Sequence, residues 1–288
     1  MTRIKTKFVR YLLTVFGILF IATIIALFWT NNTGAPGQNE SQQNSQPAAI
    51  EEVEVVEPLE PVVDLQPTVD TWTSEQSGVA SVVIYDLTAE EEVASHNPDK
   101  IYFGASIYKL YVAYIGYQKI ADGTYSQAEP YYGDLTRGDC LDEMIRTSHS
   151  PCAEKMRLEL GIDWLDKTLQ DYGIQHSAMG DISTSASDVS RILRRLYERR
   201  DLTNEHADAM LASLKDQIYQ DALKAGFSES TVHNKVGFRG LVEYHDVAVV
   251  EFQSGQAYVM SVLSENIGAQ NIADLATRVE TAVLDAIE

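Results

Sequence analysis

The sequence predicts an α+β domain over residues 77–288. In it, a five-stranded antiparallel sheet is flanked by helices, an all-helical lobe is inserted between its strands, and one transmembrane helix precedes it. Three observations predict this. Strand-like segments occur at both ends of the domain, two before the middle and three after it. The middle, from about Leu141 to Leu223, reads as helical. Residues 11–30 form an uncharged apolar run. Strands from both ends joining in one sheet, with helices packed against it, make a layered domain around a core.

The elements follow in order. Residues 1–10 hold four of the 22 Lys and Arg, at Arg3, Lys5, Lys7 and Arg10, and no acid. The run Tyr11 to Thr30, "YLLTVFGILFIATIIALFWT", spans about 30 Å as a helix, the thickness of a hydrocarbon core. The basic flank predicts a cytoplasmic N-terminus and an extracytoplasmic remainder. A cleaved signal peptide is the competing reading; its apolar region is usually shorter, and no clean small-x-small site follows Leu27. Residues 31–76 read as a linker holding the domain off the membrane, because they contain five of the eight prolines and an Asn/Gln/Ser-rich stretch. Such a segment has too little apolar surface to offset its ordering entropy.

The folded part is expected from Ser77. "VASVVIYDL" alternates as a strand and "EEVASHN" as its hairpin return. Ser106 to Ile120 is an apolar helix closing at "ADG", and "SASDVSRILRRLYERR" is amphipathic. "STVHNKVG", "VEYHDVAVVEF" and "AYVMSVLSE" read as three strands, and "NIADLATRVETAVLDAI" as a last helix. No internal repeat is present.

Charge narrows the function classes. The net charge is -20, and without the first ten residues 18 basic face 42 acidic residues. So acidic a body repels nucleic acid and anionic lipid. The histidines, His96, His149, His176, His206, His233 and His245, show no metal-ligand spacing. No Gly-rich phosphate loop appears, so neither a metal nor a cofactor is expected. The sequence does not fix an oligomeric state.

The chemistry-bearing motif is Ser106-x-x-Lys109. A serine at a helix N-terminus meets free N–H groups and the positive end of the dipole, and a lysine one turn on reaches its hydroxyl. The alternative is a serine N-cap with a surface lysine. The helix is apolar nearly all round, which buries the surroundings of Lys109, and a buried lysine that loses pKa can accept a proton.

Downstream come Ser148-His149-Ser150 and Lys235-Val236-Gly237. The order S-x-x-K, serine turn, Lys-x-Gly strand resembles the active-site-serine penicillin-recognising enzymes, class A β-lactamases most closely. The resemblance covers residues 78 to 288. It implies that Ser106 is the acylated nucleophile and that Lys109 helps activate it. It makes Ser148 a proton donor to the leaving nitrogen and gives Lys235 the positive charge beside it and beside the substrate carboxylate. The backbone N–H groups of Ser106 and Phe238 become the oxyanion hole. Ser150, Val236 and Gly237 fall at substrate-binding positions. The partner implied is a small β-lactam or a peptidoglycan-derived substrate.

Three departures qualify it. Ser150 replaces the family's usual Asn, and His149 reads as a packing replacement for an Asp. Val236 lacks a hydroxyl that would bind the substrate carboxylate, a loss of about 1.5–3 kcal/mol for a hydrogen bond to a charged group. "DYGIQHSAMGDISTS" is shorter than the family's loop and lacks its deacylating glutamate; Asp181 is a short-armed substitute. An acyl-enzyme is therefore expected to form more easily than it hydrolyses. A D,D-peptidase-like enzyme and an inert cell-wall-binding module are the alternatives. Cys140 and Cys152 bracket the serine turn and are expected to form a disulfide outside the cell, against the alternative of two small buried residues. Arg239 reads equally as a cation for an anionic substrate and as a surface turn residue.

Overall fold

The computed structural model describes residues 62–287. The basic tail, the transmembrane run and the linker up to residue 61 lie outside the described residues. Among the described residues, no helix is long and apolar enough to cross a membrane.

The folded body begins earlier than the sequence suggested. Helix α1, Gln66–Glu75, falls within the expected linker. Pro67 had argued for an extended chain, but proline is at home in the first turn of a helix, where its missing N–H costs nothing. Leu65, Val69 and Trp72 are fully buried. The Trp72 indole donates to the Asn271 carbonyl at 2.9 Å. Gln66 bridges to the Ser95 backbone in both directions, donating at 3.0 Å and accepting at 2.8 Å. An apolar stripe thus outweighs the proline signal.

Five strands make the sheet: β1 Val79–Asp86, β2 Glu91–His96, β7 Ser230–Arg239, β8 Glu243–Phe252 and β9 Ala257–Glu265. Their order is β2-β1-β9-β8-β7, all antiparallel, so β7 is an edge. Period-2 alternation divides the three inner strands, β1, β9 and β8, between two cores. Val82, Ile84, Ala248, Val250, Met260 and Val262 pack with α1 and with the last helix, α9, Ala269–Ile287. Val83, Tyr85, Val247, Val249, Val259 and Leu263 face the helical lobe.

The lobe lies between β2 and β7 in sequence. A short strand β3, Tyr102–Phe103, and a 3₁₀ turn, Ala105–Ile107, lead into α2, Tyr108–Ala121. Every residue of α2 from Tyr108 to Tyr117 is buried, Lys109 included, as a sequence apolar on all faces requires. A two-strand ribbon follows, β4 Pro130–Tyr132 with β5 Leu135–Thr136. Then come α3 Arg137–Arg146, α4 Ser150–Leu160 and α5 Ile162–Asp171. The strand β6, Ser183–Thr184, pairs with β3 and leads to α6, Ala186–Tyr197. Two further helices, α7 Asn204–Lys215 and α8 Leu223–Gly226, return the chain to the sheet. Cys140 on α3 and Cys152 on α4 are disulfide-bonded across the turn that carries Ser148, with Cα atoms 5.3 Å apart. The expected bridge is present.

Candidate active site

Ser106 sits in the 3₁₀ turn between β3 and α2, held there by backbone constraints on both sides. The Gly104 N–H donates to the Ile182 carbonyl at 2.7 Å. Ala105 takes a left-handed φ of 44°, an uncommon conformation for a residue with a Cβ. The helix begins as a tighter turn than the sequence suggested, and this turns Ser106 toward β7.

Lys109 follows one turn later and is 1% exposed. Its ammonium group donates to Ser106 Oγ at 3.0 Å, to the Ser148 carbonyl at 2.5 Å and to Ser150 Oγ at 3.0 Å. All three acceptors are neutral oxygens. Burial without a carboxylate partner pushes its pKa down to about 8. The second lysine, Lys235 on β7, is fully buried and donates to Ser148 Oγ and, at 2.8 Å, to the Val236 carbonyl. Desolvation pushes its pKa well down, and the nearby Lys109 charge adds to this, while Asp246 opposes it. Ser148 itself has a φ of 60°, so the serine turn is held in a left-handed kink with its carbonyl and hydroxyl aimed at different lysines.

The edge strand closes the other side. A Cβ on Gly237 would lie 3.0 Å from Ser106 N, 3.0 Å from Ile107 Cγ1 and 3.1 Å from the Gly104 carbonyl oxygen. Glycine here lets β7 approach the backbone of the serine turn. As the edge strand, β7 leaves one row of N–H groups without a strand partner. Phe238 follows, 46% exposed, stacked on Tyr244 with its ring edge-on to Tyr219.

Ser106, Lys109, Ser148, Ser150 and Lys235 therefore converge, although they span most of the domain sequence. One position differs from expectation. The Val236 side chain is 1% exposed and pairs across the sheet with Asp246, so it offers no surface to a substrate. Ser150 is exposed, and its Oγ accepts from Lys109 at 3.0 Å. His149 caps α4, accepting from Cys152 N at 3.3 Å, and stands edge-on to Tyr132, in keeping with a packing role. Asp181 is exposed and accepts from Ser183 Oγ at 2.8 Å.

Sequence reasoning missed two buried carboxylates in the elements around this cluster. Asp188 on α6 accepts from Gln175 N at 3.0 Å, His176 N at 2.6 Å and Ser177 Oγ at 2.8 Å, which shapes the short connection from α5 to β6. Asp246 pairs across the sheet with Val236, the residue after Lys235, and accepts from Leu223 N at 2.8 Å and Asn234 Nδ2 at 3.0 Å. Burial raises its pKa to about 7 against those hydrogen bonds. An acid directly before the apolar run "VAVV" of β8 was the available signal. Among the described residues, no group of three His, Cys, Asp or Glu side chains lies close enough to hold a metal ion.

Residues 64–287 match the model of the β-lactamase enzyme family. The chain belongs to that family. This β-lactamase-family chain also resembles solved structures. PBP-A is 19% identical with a TM-score of 0.70, over 80% of this chain and 99% of that one. A class A β-lactamase from Bacteroides cellulosilyticus DSM 14838 is 16% identical with a TM-score of 0.67, over 76% and 96%. A β-lactamase from Desulfarculus baarsii DSM 2075 is 18% identical with a TM-score of 0.68, over 75% and 96%. At these identities the likeness is one of fold. No curated protein sequence matches.

Proposed function

We propose that this family member is a membrane-anchored, extracytoplasmic serine hydrolase, acylated at Ser106 by β-lactams or acyl-D-amino-acid compounds and slow to deacylate. The observation that carries the acylation step is the Lys109 ammonium group, buried and bonded to Ser106 Oγ with no carboxylate to hold its proton. In its neutral form this amine takes the Ser106 hydroxyl proton as Oγ attacks the carbonyl carbon. The Oγ–C bond forms and the C–N bond breaks. The proton reaches the leaving nitrogen through Ser148 Oγ, which Lys235 polarises. The N–H groups of Ser106 and Phe238 stabilise the oxyanion.

Slow deacylation is inferred from the connection between α5 and β6. It holds no glutamate, and Asp181 is tied to Ser183. The same observation favours a second reading, a peptidoglycan D,D-peptidase. A mutant of PBP-A is solved as an acyl-enzyme complex with penicillin G, which agrees with either reading. The apolar run 11–30 and the Cys140–Cys152 bond support the anchor and the extracytoplasmic site.

Intact mass spectrometry after mixing with penicillin G, followed over time with Ser106→Ala as control, tests the proposal. A lasting adduct on the wild type alone is expected. Rapid turnover refutes slow deacylation, and D-Ala release from a wall peptide selects the peptidase. No adduct, with no peptide cleaved, leaves a ligand-binding module.

A further inference from the structure

We propose that His245 is a positioning residue for acylation, the side chain that fixes the turn carrying Ser106 to the sheet. The inference rests on the acyl-transfer reading above. His245 lies on β8 and is fully buried. Its partner across the sheet is Gly237, the residue whose missing side chain lets β7 approach Ser106. Residues paired directly across neighbouring strands share a face of the sheet. The His245 ring therefore stands on the face that meets the serine turn.

Both ring nitrogens are engaged there, by different elements. Ser264 N, on β9, donates to Nδ1 at 3.1 Å. A nitrogen that accepts carries no proton, so the proton of the neutral ring is on Nε2. Nε2 donates it to the Phe103 carbonyl at 2.9 Å. Burial pushes the His245 pKa down, which favours this neutral form.

Phe103 ends β3, three residues before Ser106. The strand is gripped by β6 through backbone pairing and by the sheet through His245. Tyr102 adds a third hold. Its ring meets the His245 ring edge-on at 5.7 Å, and its hydroxyl lies 3.1 Å from Ser81 Oγ on β1. The turn that follows needs such support. Ala105 has a left-handed φ of 44°, and Ser106 belongs to a 3₁₀ turn rather than to the regular helix. A strained conformation of this kind persists only where its surroundings over-determine it. A nucleophile displaced by about 1 Å can lose about 10²-fold in rate.

Two substitutions separate the two nitrogens. In His245→Gln the amide nitrogen can take the place of Nε2 and donate to Phe103. In His245→Asn the amide oxygen can take the place of Nδ1 and accept from Ser264, and nothing reaches Phe103. Each variant forfeits one hydrogen bond, so the two melting temperatures should fall alike. Acylation of the purified full chain is timed by intact mass with penicillin G and with a fluorophosphonate, with Ser106→Ala as control. With both reagents His245→Gln is expected to stay within about threefold of the wild type, and His245→Asn to slow by about tenfold or more. Equal rates in the two variants overturn the inference, whether both stay fast or both slow in step with melting. Loss of cooperative melting in both also overturns it, since His245 is then a core residue alone. A wild type that takes neither reagent refutes acyl transfer at Ser106 and the inference with it. A labelled wild type with the two variants alike refutes the inference only.

Discussion

In the proposed acylation Lys109 is the residue on which the chemistry turns, and its protonation gives a sign that can be measured. A general base acts in its neutral form, and burial places the Lys109 pKa at about 8. The acylation rate by a β-lactam is therefore expected to rise with pH and level off above about 8. Lys109→Ala is expected to lower that rate by about 10²–10⁴-fold, the usual contribution of a positioned base, with the melting temperature as a check on folding. Asp246 titrates in the opposite sense. Its folded pKa, about 7, stands above the ordinary 3.8, so the folded state holds a proton that the unfolded chain has lost. Its contribution to stability is complete below about pH 3.8 and is lost as pH rises to about 7. Urea unfolding of wild type and Asp246→Asn should show the wild type's relative advantage shrinking across that window. An unchanging difference removes the assignment.

The elements show what a sequence makes legible and what it hides. The five long strands announce themselves because alternation is local, and α2 does so because ten consecutive buried positions leave no polar face. Ser106 and Lys109 are legible for the same reason, being one turn apart on one helix. The meeting of Lys235 with Ser148 is not local: 87 residues separate them, and only the family resemblance suggested it. Asp246 was hidden because an acid in a strand reads as a solvent-facing position until the sheet shows it buried. The turn from α3 to α4 supplies a prediction of its own. Its disulfide links residues 12 apart in sequence. For a closed loop of that size the chain-entropy estimate is about 3 kcal/mol. The Cys140→Ala/Cys152→Ala double variant should lose about that much in denaturant unfolding. It should also acylate more slowly, because Ser148 rides on the stapled turn.

At the scale of the whole molecule, the two cores on opposite faces of the sheet depend on different parts of the chain. The core opposite the lobe needs α1, the helix that its proline disguised. A chain starting at residue 62 is expected to fold and to be acylated like the full chain. One starting at residue 77 loses Leu65, Val69 and Trp72 from that core and should fail to melt cooperatively. Trp72→Ala in the full chain is the milder form of the same change, expected to cost about 3–5 kcal/mol. Equal melting of the two truncations would show α1 to be an accessory.

The close approach of Gly237 to the serine turn sets the aperture of the reaction. The three atoms that a methyl group there would meet, two of them backbone, lie at 3.0–3.1 Å. The sheet and the helical lobe thus act as two jaws whose gap is one missing methyl wide. A side chain added at that strand position presses on the serine turn, which must give by a few tenths of an ångström, with both lysines and all three serines still in place. The machine is gated by what one residue leaves out.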